Sequence, residues 1–187
     1  MIRFLLLFDE VVIGTALVVP LLATVAVFVA RWRVARGASA AEAWLRTVAE
    51  AAMVAGTVPW LVMALWPVDL PPGARRWHLV PLTEIVGQLS GPPGEAFVQI
   101  VANLMVFFTL GLCAPVRFPA VATPARLLLL GAGGSLAVEV CQQVFGTGRV
   151  FSVDDILLNG AGCLIGGLVS RRWWASSRQV LPGGRST

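Results

Sequence analysis

Five runs of mostly apolar residues divide this chain: Val11–Ala30, Thr47–Trp66, Phe97–Ala114, Leu127–Phe145 and Asp155–Trp173. A helix needs about 20 such residues to cross the hydrocarbon core of a bilayer. In lipid every backbone N–H and C=O must find its partner within the protein, and a helix achieves this segment by segment. The runs therefore predict an all-α fold, a polytopic membrane helix bundle of about five transmembrane helices. Composition agrees, with 57% hydrophobic and only 13% charged residues, where a soluble domain carries about 25% charged. The 187 residues suit a single membrane domain over 1–187.

All 14 basic residues are Arg, and the net charge is +4. In a soluble protein such a balance would suggest nucleic acid as a partner. Here the Arg residues flank apolar runs, so the lipid bilayer is the partner and nucleic acid is not expected. Arg31, Arg33, Arg36 and Arg46 lie between the first two runs, Arg117 and Arg126 between the third and fourth, and Arg171, Arg172, Arg178 and Arg185 after the fifth. Only Arg3, Arg75, Arg76 and Arg149 fall on the other side. The positive-inside rule then sets the N-terminus outside and the C-terminus inside.

The first run follows Arg3, Phe4–Phe8 and Asp9-Glu10, and ends at Arg31-Trp32-Arg33. Its length fits a retained anchor rather than a cleaved signal. The longest loop, Pro67–Glu95, carries Pro71-Pro72-Gly73 and Pro92-Pro93-Gly94 around the short apolar segment Trp77–Leu82, which suits the outer interface. Residues 174–187, ending in Pro182-Gly183-Gly184-Arg185-Ser186-Thr187, read as a short disordered cytoplasmic tail.

Polar side chains within apolar runs are costly and therefore informative. At about 1.5 Å per residue, Asn103, Glu139 and Asn159 fall at similar depths, roughly 6–9 Å below the outer ends of their helices. Ser135, Glu139 and Gln142 share one helical face, as do Asp155, Asn159, Gly162 and Gly166, and as do Asn103, Phe107 and Gly111. Gly162-x-x-x-Gly166 allows a neighbouring helix to approach closely. Simpler roles exist for several of these groups. Ser152-x-x-Asp155 has the form of a capping box, and Asp154 suits the positive end of a helix. Asn103 and Asn159 can serve as interhelical glue. Arg149 can bind lipid phosphate or pair with Asp154. Glu139 resists such explanations, because a carboxylate inside a membrane helix needs either a partner or a proton.

Several chemistries lack their residues. Cys113, Cys141 and Cys163 form no C-x-x-C pair and read as small buried hydrophobes. His78 is the one histidine, so no metal site and no cofactor is expected. G-x-S-x-G, H-E-x-x-H and a phosphate loop with Lys are all absent from the sequence.

The polar stretch resembles the VanZ-like family of bacterial membrane proteins over roughly residues 60–170. The matching residues are Asn103, Gly111, Glu139 with Gln142, Arg149, Asp154-Asp155, Asn159, Gly162 and Gly166, preceded by His78-Leu79-Val80-Pro81-Leu82. The sequence departs from the family pattern at Thr109, where Pro is usual, at Ser152, where Asp is frequent, and at Gly160, where Thr is frequent. The resemblance implies a multi-pass protein of the bacterial plasma membrane and a link to teicoplanin-type antibiotic resistance. It implies no defined reaction. Two expectations follow. In the preferred one the chain is not an enzyme. Asn103, Glu139, Gln142, Arg149, Asp154, Asp155 and Asn159 then form an outer-leaflet pocket for a lipid-linked cell-wall precursor or a lipoglycopeptide. In the alternative it is an intramembrane enzyme on a lipid-borne substrate, with Glu139 as general acid or base and Asp155 as the second carboxylate.

Overall fold

The apolar runs fold into helices whose ends are fixed by local capping chemistry. The computed structural model describes residues 2–70, 73 and 76–178, with backbone alone for residues 2–15, 17 and 175–178. Arg75 and the expected tail segment over 179–187, including Arg185, lie outside the described residues. Helix α1 (Ile2–Ala35) ends in a Schellman motif at Gly37, whose φ of +95° is left-handed. There the Gly37 N–H donates to the Val34 carbonyl and the Ala38 N–H to that of Arg33, at 3.0 and 3.1 Å. Ser39 immediately caps α2 (Ala40–Leu65), its hydroxyl accepting from the Glu42 N–H. α1 and α2 thus form a tight hairpin.

After α2 come a short strand β1 (Trp77–His78), a two-turn helix α3 (Thr83–Leu89) and α4 (Pro93–Arg117). A 3-10 turn (Pro119–Val121) leads to α5 (Pro124–Val144). Both α4 and α5 begin on Pro, whose fixed φ suits the first helical position and whose missing N–H would have no helical partner there. Strand β2 (Phe151–Ser152) pairs in parallel with β1, matching Trp77 to Phe151 and His78 to Ser152. α6 (Val153–Val169) and α7 (Arg171–Arg178) follow.

Among the described residues, four helical segments are long and apolar enough to cross a membrane: Val18–Ala35 of α1, and α2, α4 and α5. The expected fifth run is shorter than the sequence suggested. α6 has 17 residues, or about 25 Å, against a hydrocarbon core of about 30 Å. It stops at Ser170, which caps it, and the chain restarts as α7. The expected disordered tail is corrected at its start for the same reason. Trp174 belongs to α7, is buried, and donates its indole N–H to the Ser170 hydroxyl at 3.2 Å.

The distribution of polarity is inverted relative to a soluble domain. Phe28, Phe97, Leu129 and Val144 are exposed, whereas Ser135, Glu139, Gln142, Ser152, Asp154 and Asn159 are buried. Such broad apolar exposure suits a lipid-facing surface. At the centre, α6 lies against α4 with backbone touching backbone. A Cβ on Gly111 would meet the Cys163 carbonyl oxygen at 1.9 Å, one on Gly162 that of Leu104 at 2.0 Å, and one on Gly166 that of Phe108 at 2.1 Å. The small-residue stripes read from the sequence therefore face each other. Thr109 packs on Gly56 of α2, and Gly160 packs on Ala132 of α5, so two departures from the family pattern fall at helix contacts.

Candidate functional site

The loop between α5 and α6 is locked in place by backbone contacts. Thr147 N–H returns to the Gln142 carbonyl, and the Thr147 carbonyl accepts from Val68 N–H at 2.8 Å. Gly148 has φ +73°, and a Cβ there would lie 1.9 Å from the Val68 carbonyl oxygen. Only glycine allows this approach, which directs Arg149 toward the end of α2. Arg149 Nη2 donates to the Met63 carbonyl at 2.7 Å, and Nε to that of Trp66 at 3.4 Å. Gln142 Nε2 donates to the Ala64 carbonyl at 2.8 Å. The last-turn carbonyls of α2 have no helical N–H left to bind, and a cation there is favoured by the helix dipole. Burial pushes the Arg149 guanidinium below its ordinary value, opposed by the charges of Asp155 and Glu139. A guanidinium remains protonated under such a shift.

The first turn of α6 binds in three directions. Ser152 caps it, its hydroxyl accepting the Asp155 N–H at 3.4 Å. The reciprocal half of the expected capping box is absent. The Ser152 N–H instead donates to Glu139 Oε2 of α5 at 3.3 Å. Glu139 therefore caps α6 from a neighbouring helix. Asp154 is engaged by α3, and among the described residues it forms no ion pair with Arg149. Its carboxylate accepts N–H groups of Leu82, Glu84 (2.8 Å) and Ile85 (3.1 Å), which caps α3 across 70 residues of chain. α3 needs this help, because its N-cap residue Leu82 sits at φ +67° and offers no capping side chain. The Asp155 carboxylate accepts from Asn103 Nδ2 at 2.5 Å.

A cavity of about 280 Å³ opens between these elements. Gln142, Arg149 and Asp155 line it, together with Glu84, Gln88, Gln99, Ser152 and Asp69. Three carboxylates thus face one guanidinium. Glu84 also receives the Ser152 hydroxyl and contacts His78 Nδ1. A second cavity of about 390 Å³, lined by Gly87, Gly91, Pro92, Glu95 and Ala96, shares Gln88 and Gln99 with the first. Gln88 Oε1 is buried and has no hydrogen-bond partner among the described residues. An acceptor in that state is costly unless a donor reaches it. Among the described residues, no group of three or more His, Cys, Asp or Glu is arranged to hold a metal ion.

The sequence-derived set is therefore distributed over two layers and two outliers. Gln142, Arg149 and Asp155 line the cavity. Asn103 and Glu139 stand behind it, bonded to Asp155 and to the Ser152 backbone. Asp154 serves α3. Asn159 lies about one turn deeper than the depth estimate suggested, with its Nδ2 on the Ser135 hydroxyl at 2.8 Å. The estimate shifted because α6 begins beside Glu139, which sets Asp155 rather than Asn159 near that level. Glu84, Gln88 and Gln99 were missed. Glu84 and Gln88 share one face of α3 at i, i+4 spacing, a signal hidden within a loop read as merely interfacial. The frequent family carboxylate at position 152 is absent, and Glu84 brings a carboxylate to the Ser152 hydroxyl.

Apolar-surfaced helices closing over a polar cavity at one end define a membrane protein. A family model described as VanZ/LLP1 matches residues 53–174, more than half of the chain, and the chain belongs to that family. No curated protein and no solved structure matches the chain.

Proposed function

We propose that this VanZ-family protein binds, without transforming it, the headgroup of a lipid-linked or amphiphilic ligand in the cavity beside Arg149 and Asp155. The ligand class is a lipid-linked cell-wall precursor or a lipoglycopeptide, and its capture modulates susceptibility to teicoplanin-type antibiotics. The protein is a multi-pass component of the bacterial plasma membrane. Its N-terminus is outside and its C-terminus inside, with α6 as a short fifth crossing that the bilayer meets by local thinning. The cavity then opens at the outer leaflet. This orientation rests on the Arg residues between α1 and α2, after α4 and in α7.

The observation that carries this reading is the cavity of about 280 Å³ with mixed lining, adjoining a second at Gln88 and Gln99. Arg149 is held rigidly by α2 carbonyls and offers a fixed positive charge to a phosphate. Glu84, Asp155 and the unpartnered Gln88 Oε1 accept from hydroxyl or amine groups of the same ligand. A headgroup carrying both an anionic centre and several donors fits this set.

An enzymatic reading draws on one fact, that Glu84 and Asp155 line the same cavity. Two carboxylates in one site can divide the work of general acid and base. Glu139, the other candidate acid or base, is not among the lining residues. One experiment separates the readings. Purified protein is incubated with isotope-labelled bacterial envelope lipids, and bound and free lipids are analysed by mass spectrometry. Selective retention of an unchanged lipid supports binding. Conversion of any lipid to a new product, lost in Asp155→Asn, overturns it in favour of the enzyme.

A further inference from the structure

The opposite end of α2 holds a third cavity, with reversed charge balance. α2 has 26 residues, so its two ends lie about 39 Å apart. At its N-terminus a cavity of about 210 Å³ is lined by Trp32, Arg33, Arg36, Glu42 and Arg46, with small Ala residues completing it. The Schellman motif and the Ser39 cap hold these side chains on one rigid hairpin.

The charges of this cavity are unequally committed. Arg33 donates from Nη1 to Thr47 and from Nη2 to Glu50 at 2.8 Å each, so its fork is turned into the bundle. Glu42 is held by Arg46 in an i, i+4 pair at 2.5 Å. Arg36 stacks on Trp32, its guanidinium carbon 4.2 Å from the ring centroid. That contact orients the guanidinium plane and leaves its N–H edges available to an anion. The positive end of the α2 dipole points into the same space. Three guanidiniums, one carboxylate and a helix N-terminus thus surround one hollow.

We propose that this hollow is a headgroup site for an anionic phospholipid, separate from the polar cavity at the other end of the bundle. Lipid is favoured over a soluble phosphate by what flanks the hollow. Trp32 lines the hollow and is 47% exposed, and Trp44 and Phe28, on the same two helices and within four residues of lining positions, are exposed at 41% and 72%. Trp is the side chain enriched at the membrane–water interface, and Phe28 lies one turn along α1 toward the apolar run. A phosphodiester held by Arg36 and Arg46 would lay its acyl chains on that surface.

The test is native mass spectrometry of the full chain in a neutral detergent, titrated separately with phosphatidylglycerol, phosphatidylcholine and inorganic phosphate. Phosphatidylglycerol retention is expected to fall at least tenfold in the double variant R36Q/R46Q, with phosphatidylcholine unchanged. R171Q/R172Q removes the same charge elsewhere and should retain the lipid as the parent does. Glu42→Gln removes the lining carboxylate and should raise retention severalfold, a gain that misfolding cannot produce. Equal retention by R36Q/R46Q and the parent would overturn the proposal. So would an equal loss in R171Q/R172Q, no gain in Glu42→Gln, or displacement of the lipid by inorganic phosphate at matched concentration.

Discussion

Glu50 and Asp155 are both half-buried carboxylates on inward-facing helix surfaces, near opposite ends of the bundle, and their neighbours differ in sign. Glu50 of α2 lies between Arg33 of α1 and Arg117 of α4, both of which donate to it. These two cations match its charge, and the group serves to pin three helices together. Asp155 of α6 has a neutral amide, Asn103, as its donor, with Glu84 in the same cavity and Glu139 close behind. One end has more cations than its carboxylate needs. The other has more carboxylates than Arg149 can neutralise. A charge that is fully matched by its protein neighbours is explained by structure. A surplus of acceptors around a cavity is better explained by something that brings donors to it.

Both ends are joined by one tightly packed midsection of α4 and α6, so the largest effect is expected there. Gly162→Leu must push α6 away from the Leu104 carbonyl of α4, since even a Cβ would sit 2.0 Å from that oxygen. The expected loss is at least about 3 kcal/mol of stability. It is read as a large fall in melting temperature, or in yield of monodisperse protein, in detergent. Normal melting would mean that the backbone-to-backbone packing of α4 and α6 does not hold the bundle together.

A smaller effect separates structural from chemical roles at the polar end. Glu139→Ala leaves the buried Ser152 N–H without its acceptor and should cost about 2 kcal/mol. Glu139→Gln keeps an acceptor oxygen and should recover most of that in a thermal unfolding assay. If Gln is as damaging as Ala to stability, the cap across helices is the wrong account of Glu139.

The smallest stability effect distinguishes the two ends most finely. Glu50→Gln keeps a hydrogen-bond acceptor between Arg33 and Arg117 but removes the charge, and should cost about 1 kcal/mol, because the site is partly solvated. Asp155→Asn should be neutral or slightly stabilising, because it relieves repulsion from Glu84 and Glu139. Equal destabilisation by the two substitutions, measured by chemical denaturation, would erase the distinction between a matched and an unmatched carboxylate.

Much of this architecture is legible in the sequence, and the exceptions have physical causes. Apolar runs locate the long helices because a helix satisfies its own backbone groups in lipid within one segment. The Ser135–Glu139–Gln142 face is legible from helical spacing, and its three residues are buried as that spacing requires. Depth set Asn103 level with Glu139 and Asn159, and its actual partner Asp155 was not legible because the start of α6 lies deeper than the apolar run suggests. Asn159 escaped by one turn because the start of α6 is set by Ser152 and by Glu139, a partner on the preceding helix. β1 and β2 have two residues each, too few to show any periodicity. α3 is legible only once Asp154 is known to cap it, and with α3 hidden, Glu84 and Gln88 were hidden too. Local pattern therefore finds the spans, while the site depends on contacts across 50 to 90 positions that local pattern does not encode.

The central claim is that the cavity beside Arg149 and Asp155 is a ligand site. It is tested most directly by comparing amphiphiles that co-purify with the parent protein and with Gln99→Trp. Gln99 is an exposed position on α4 that lines both adjoining cavities, so an indole there fills the space without disturbing a buried contact. Quantitative mass spectrometry of the extracted lipids is expected to find at least one species enriched with the parent over bulk membrane and depleted at least tenfold in Gln99→Trp. The same species in equal amount in both proteins, or no enriched species in either, would contradict the account.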